Sequence, residues 1–477
     1  MNLQPLPGRT HRIQLSPAAC SLDIGDGSER SEYVSQDYML NVLGRPHRAI
    51  NMIYCYYPFD KGWPNRVSKV FKNKGRVVWG YPYDDYFPYL GGLNGDRSAE
   101  VFRQIEDIRR HGQDVTFTLT VDCRVSDDHI RAIARDLRPY GRLRLRINHE
   151  CDGFWFAFNR RYSYEEVGRF FVRFSRIVRE EAPNILMVSC WGSIPGYRCK
   201  KLLHEEALAP TLGAADVWSL DKYLSLHFAF PFQDCEPEDV KKTYTAVSDR
   251  NIWYLFATAH RRFCKLAGDD KGLEICELNC DGSVGGAENQ SRRMERFYRR
   301  VLQVKPAFLK GITYYQFRDR GRLGLERENP NDITVGVPAP FLPVYRELMR
   351  EPYFLPQENW TPQRGPLTLE WRASDDADGL GWKVPLKKKP LFLELLFGKK
   401  DNLIVRVGDE WYYKKPGVEM VDATPGARRW SSRTQPLPVT VLAPPADGTN
   451  PRNAASYHTR LSQPPQLRLV QNWGKHK

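Results

Sequence analysis

The chain has 477 residues, 41% of them hydrophobic and 12% aromatic, and a net charge of +14. That is enough for a full globular core and for more than one domain, while no apolar run approaches the roughly 20 residues of a membrane helix. The positive charge suits nucleic acid, anionic glycans or acidic surfaces. Its simplest reading is a solvated basic surface, part of it in a polar tail from Pro451 to Lys477 that carries five basic residues and no acid.

The ten cysteines are dispersed and none lies in paired CxxC spacing. Such scatter reads as reduced core thiols rather than a disulfide framework or a metal cluster. The first residues lack the charged-then-apolar order of a secretory signal. A cytoplasmic protein is the default expectation, or an extracellular one if a leader has been removed.

Residues 1–44 read as an irregular segment packing on the domain that begins at residue 45. Strands are then expected at AINMIYCYY (49–57), RVVWGY (76–81), DVTFTLTV (114–121) and RLRLRIN (142–148). Four more come at NILMVSCW (184–191), DVWSLDKY (216–223), LEICELN (273–279) and GITYYQF (311–317). Amphipathic helices lie between them. One places Val101, Ile105 and Ile108 on a single face, another Val167, Phe170, Phe171, Phe174 and Ile177. Between the sixth and seventh strands, LSLHFAFPFQDCEPED reads as a loop insertion.

Alternating β and α predicts a parallel sheet. Eight units predict an α/β protein with a (β/α)8 TIM barrel over residues 45–350, a span near the typical length of about 250 residues. The competing architecture is a doubly wound open sheet, which lacks support because no Gly-rich phosphate loop follows the first strand. A Pro-rich linker (351–366) should lead to a small C-terminal β-rich domain (367–424) and then a low-complexity basic tail (425–477).

Barrel chemistry sits at the C-terminal ends of the strands. Strand four ends in Glu150, strand six carries Asp221 and Tyr223, strand seven holds Glu274 and Glu277, and Asp319 follows strand eight. Alternation puts Glu274 and Glu277 on opposite faces of a regular strand. Glu277, nearer the C-terminal end, is the better site residue; Glu274 should face the helices or pair with an arginine. Strands four and seven lie nearly across the barrel mouth, so Glu150 and Glu277 can face each other over a ligand. Retaining glycosidases use two carboxyl groups about 5 Å apart, one as nucleophile and one as acid/base.

In RLRLRINHECDGFWF (142–156), Arg146, Asn148 and Glu150 share one face by alternation. The arginine can hold a neighbouring carboxylate ionised. Gly153 turns the chain, and aromatic residues, Trp155 first, offer platforms for the C–H face of a sugar. Trp191 and Tyr315 are further candidates for ligand contact. A lone glutamate or histidine at a strand end is more often a surface or structural group; two acids on strands four and seven with aromatics beside them weigh against that.

RINHECDGFWF resembles the R-x-x-H-E-x-N-G-x-W-F signature of glycoside hydrolase family 26, the β-mannanase family of a large barrel clan. Arg146, His149, Glu150, Gly153, Trp155 and Phe156 fall on the motif, and Asp152 stands where the family usually has Asn. ICELNC resembles the strand-seven nucleophile motif, with Glu277 on the nucleophile and Leu278-Asn279 in place of aromatic-Gly. VWSLDKY resembles the strand-six end, with Tyr223 where the family often has a tyrosine bonded to the nucleophile. KGITYYQFRD is similar to the strand-eight end, with Tyr315 or Tyr314 where the clan usually has Trp. The resemblance covers about residues 45–350. It implies double displacement with retention on a β-linked polysaccharide or oligosaccharide, Glu150 as acid/base, Glu277 as nucleophile, no cofactor and no catalytic metal. The departures leave two alternatives standing: a barrel hydrolase for a different, anionic glycan, or a catalytically silent glycan-binding or structural barrel. No base-stacking module supports nucleic-acid binding.

Overall fold

A computed structural model describes residues 4–471 apart from 27–32, 65–86, 193–200, 228–243 and 443–456, and the shorter stretches 112, 141, 154–155, 247, 320–322, 333, 366–368, 372–376, 415, 432–434 and 460. Among the described residues, eight parallel strands close into a barrel. In chain order they are Ser21–Gly25, Ala49–Tyr56, Asp114–Val121, Leu143–Ile147, Ile185–Trp191, Val217–Asp221, Leu273–Leu278 and Leu309–Tyr314. Each pairs in parallel with the next, and the eighth pairs with the first, which shuts the ring.

The ring has eight members, but not the eight read from periodicity. The first barrel strand is SLDIG (Ser21–Gly25), inside the segment expected to be irregular. It is short and carries an aspartate and a glycine, which hides its pattern. RVVWGY (76–81) lies outside the described residues. The strands on either side of it pair directly, from Ala49↔Asp114 to Tyr56↔Val121, which leaves no place between them in the ring. One strand gained and one lost keep Glu150 and Glu277 at the fourth and seventh positions.

The helices follow their apolar stripes. Tyr164–Glu181 starts at a capping box, Ser163 with Glu166, and buries Val167, Phe170, Phe171, Phe174 and Ile177. Val101, Ile105 and Ile108 are likewise buried. No helix among the described residues is long and apolar enough to cross a membrane. After the sixth strand, Ser225–His227, at the start of the expected insertion, pairs antiparallel with Tyr244–Ala246 beyond it; residues 228–243 between them lie outside the described residues.

The C-terminal β-rich domain is a two-sheet body that draws on both chain ends. Its larger sheet runs Gln357–Pro362, His11–Ser16, Ala377–Val384, Leu437–Leu442, Leu403–Val407, Glu410–Lys414. Its smaller sheet runs Gln4–Pro5, Gln466–Val470, Phe392–Leu396, Met420–Asp422. Leu393, Leu395 and Leu467 from one sheet share a core with Val405, Val439 and Val441 from the other. Six residues of the expected linker, Gln357–Pro362, therefore form a strand, and the expected tail supplies Leu437–Leu442 and Gln466–Val470. Prolines and arginines mask the pattern there: Leu437–Leu442 is buried except at Pro438, while Gln466–Val470 buries only Leu467.

The barrel lumen is charged at its base. Arg48 donates to both oxygens of Glu274 (2.9 and 3.1 Å) and pairs with Asp23, while Arg144 also donates to Glu274. Arg144 and Arg146 share the inward face of the fourth strand, so Glu274 points inward, pairing with arginines rather than facing the helices. The opposite-face expectation fails because the pairing register of the seventh strand shifts between Ile275 and Glu277. That irregularity lets Glu274 and Glu277 both enter the lumen, one layer apart.

Candidate active site

The fourth strand stops at Ile147, and the next residues leave the extended conformation. Asn148 (φ 49°) and Glu150 (φ 52°) are both left-handed. Asparagine tolerates this; a glutamate does so at roughly 1 kcal/mol, strain of the kind that gathers at functional sites. The kink breaks the alternation expected for this stretch. Asn148 accepts the Val121 N–H (2.7 Å) at the end of the third strand and takes no part in the acid cluster. His149 is brought inward instead.

Six side chains from three strand ends meet there: Arg146, His149, Glu150, Asp221, Tyr223 and Glu277. Arg146, fully buried, donates to Thr118 Oγ1 (2.7 Å) and Asn51 Oδ1 (3.2 Å) and lies 3.5 Å from Glu277 Oε1 and 3.9 Å from Asp221 Oδ1. His149 Nδ1 is 3.0 Å from Asp221 Oδ2. Its Nε2 is 3.7 Å from Glu277 Oε1 and 3.9 Å from Glu150 Oε2. One imidazole nitrogen thus stands between the two carboxylates, as the placement of strands four and seven requires. The Tyr223 phenol donates to Glu277 Oε2 at 2.6 Å.

Burial, then Asp221, pushes the Glu277 carboxyl up, against the opposing pull of Arg146 and the Tyr223 hydroxyl. Burial raises Asp221 to about 7 despite Arg146. Burial lowers His149 to about 3, so the ring is neutral at neutral pH. Arg146 is therefore the permanent cation enclosed beside Asp221 and Glu277.

The remaining expected residues divide. Asp152 is buried and accepts the Gly192 N–H (2.7 Å), clamping the loop after the fourth strand to the end of the fifth. Tyr315 packs edge-on against Tyr223 (6.0 Å, 76°), whereas Tyr314 is turned into the helix-side core with Phe341 and Tyr345. Trp155 lies outside the described residues. Trp191 is a correction: it is buried, donates to Ser189 Oγ and packs on Phe263 of helix Asp249–Ala267. It shares parity with Met187 and Ser189, on the face of its strand away from Val188 and Cys190, so it is core.

Several contributors escaped the sequence reading. Gly192 gives Glu150 its room: a Cβ there would meet the Glu150 side chain at 2.7 Å. Lys222, half-buried, faces Glu150 and Asp152 electrostatically, and burial lowers its ammonium. Arg161 bridges Asp60 (2.7 Å) and Asp122 (3.2 Å), seating the short helix Ala157–Arg161 on the end of the third strand. Asp221 was visible on strand six, and its inward parity with Ser219 was the available signal; the others depend on contacts that no spacing encodes.

No protein-family model and no curated protein matches the chain. Similar solved structures include a family 39 glycoside hydrolase from the gut symbiont Bacteroides cellulosilyticus WH2, at 12% identity and a TM-score of 0.43 over 95% of this chain and 81% of that one. A GH26 β-mannanase from Bacteroides ovatus aligns at 12% identity with a TM-score of 0.42, covering 70% and 90%. A family 1 β-glucosidase from Thermotoga maritima aligns at 10% identity with a TM-score of 0.45, covering 71% and 99%. Likeness at this level assigns no activity to the chain.

Proposed function

We propose that this protein is a retaining glycoside hydrolase of β-linked polysaccharide or oligosaccharide, a β-mannan-like glycan first. The observation that carries this is the Glu150–His149–Glu277 arrangement, with Glu277 gripped by Tyr223 and Arg146. Glu277 attacks the anomeric carbon while Glu150 gives its proton to the departing oxygen. Water, deprotonated by Glu150, then releases the sugar from Glu277. Tyr223 and Arg146 favour the ionised nucleophile, opposing the upward push of burial, and His149 Nε2 stands near both carboxyl groups. No step calls on a cofactor.

Lys222 favours a second reading within the same chemistry, an anionic glycan whose carboxylate would meet that ammonium. A reducing-sugar assay over mannan, xylan, mixed-linkage glucan and uronate polymers separates the two. Glu277→Ala should abolish hydrolysis, and added azide should restore turnover as a glycosyl azide. Full activity in that variant refutes the assignment. Glycan binding without product from the wild type indicates a silent barrel instead.

A further inference from the structure

A second cluster sits on the flank of the barrel, away from the acids. His260 and Cys264 are four residues apart on helix Asp249–Ala267, so both side chains lie on one helical face. The helix ends at Gly268, which adopts φ +67°, a conformation glycine enters without cost. The chain then doubles back and lays Asp270 over the last turn. His260 Nε2 is 2.9 Å from Asp270 Oδ1 and 3.4 Å from Cys264 Sγ. The three ligand atoms all lie within 4.8 Å of one another.

We propose that His260, Cys264 and Asp270 bind a divalent transition-metal ion of the zinc class. The donor set is one imidazole, one thiolate and one carboxylate, the types such an ion takes. Bond lengths of about 2.0–2.3 Å place tetrahedral ligand atoms about 3.3–3.7 Å apart. The nitrogen–sulfur separation already matches, and the nitrogen–oxygen separation needs to open by about half an ångström to fit that frame. The cluster is held ready. The imidazole stacks on Phe308 (5.1 Å, 17°), and Asp270 Oδ1 accepts the Gly272 N–H at 2.9 Å. Thiolate and carboxylate together neutralise a dication, and the fourth position is left to water. Because Gly272 leads straight into the strand that carries Glu277, the ion would staple the helix end to the entry of that strand. This role is structural and independent of any glycan chemistry.

The sequence signal is a His-x3-Cys pair on helix Asp249–Ala267. The test is a cobalt(II) titration of chelator-stripped protein, followed by zinc competition. One equivalent should bind, with the intense visible bands of a tetrahedral ion and a thiolate-to-cobalt charge-transfer band, both erased by zinc. Cys264→Ser should remove the charge-transfer band. Asp270→Asn, on an exposed loop and expected to fold normally, should weaken binding at least about tenfold. A wild type that takes up no cobalt, a charge-transfer band that survives in C264S, or an affinity unchanged in D270N overturns the proposal.

Discussion

The Tyr223 hydroxyl meets Oε2 of Glu277 at 2.6 Å, a bond made between adjacent strand ends, the sixth and the seventh. A hydrogen bond to a buried charge is worth about 1.5–3 kcal/mol, so Tyr223→Phe should cost roughly 10–100-fold in kcat/KM. The loss also has a pH signature. Donation to the carboxylate favours its ionised form, so removing it raises the Glu277 pKa further above its already elevated position. The acidic limb of the kcat/KM profile should move to higher pH. A limb that stays in place excludes this role for the tyrosine.

Gly192→Ala should act first on Glu150. The new methyl would lie 2.7–2.8 Å from three carbons of that side chain, which must move aside. Turnover should fall at least about tenfold, since misplacement of a catalytic group by about 1 Å can cost 100-fold. The denaturation midpoint should change little. Substrates with activated leaving groups need no proton from Glu150 in the first step, so their kcat/KM should be spared while kcat falls, because Glu150 still serves as base for the second. Equal losses of kcat/KM on activated and natural substrates contradict the assignment of Glu150.

Two lumen carboxyls should give opposite pH dependences of stability. Glu274 is depressed to about 2 by Arg144 and Arg48 against its burial, from an ordinary 4.5. Its stabilisation is complete above 4.5 and is lost as pH falls toward 2. Asp221 is raised by burial from 3.8 to about 7, so the folded state holds the extra proton and stability declines as pH rises across that interval. Urea midpoints against pH should therefore be flatter below 4.5 in Glu274→Gln and flatter between 3.8 and 7 in Asp221→Asn. Slopes identical to wild type would refute either placement.

Arg146→Met should destabilise the fold by about 3–5 kcal/mol, the usual cost of leaving buried charges without their partner. Its guanidinium is the cation nearest to both Asp221 and Glu277 and is wholly enclosed. Arg146→Lys should recover part of the stability but not the bonds to both Thr118 and Asn51. Urea unfolding at neutral pH measures both variants. A Met variant as stable as wild type would show that the carboxyls share protons without needing the arginine.

Much of this architecture could be read from periodicity, because long apolar strands and striped helices announce themselves. Seven of the eight barrel strands did so. Ser21–Gly25 did not, since its alternation rests on two residues, Leu22 and Ile24, with Asp23 turned to Arg48 between them, too short a run to mark a strand. The acid pair was legible from strand-end positions. The inward turn of Glu274 was not, since a register shift leaves no mark in residue type. Trp191 shows the converse error: an aromatic near a strand end invites a ligand, yet parity alone would have sent it to the core.

The polypeptide passes between barrel and β-rich body twice, at Pro17–Cys20 and again at Met349–Pro356, and the Cys20 amide donates to the Tyr353 carbonyl across these crossings at 3.3 Å. An accessory module hung on a single tether can swivel and search for substrate. One held at two crossings keeps at most a single hinge axis, and Arg429 of the β-rich body, donating to Asn41 on helix Gln36–Leu43, ties it to the barrel away from them.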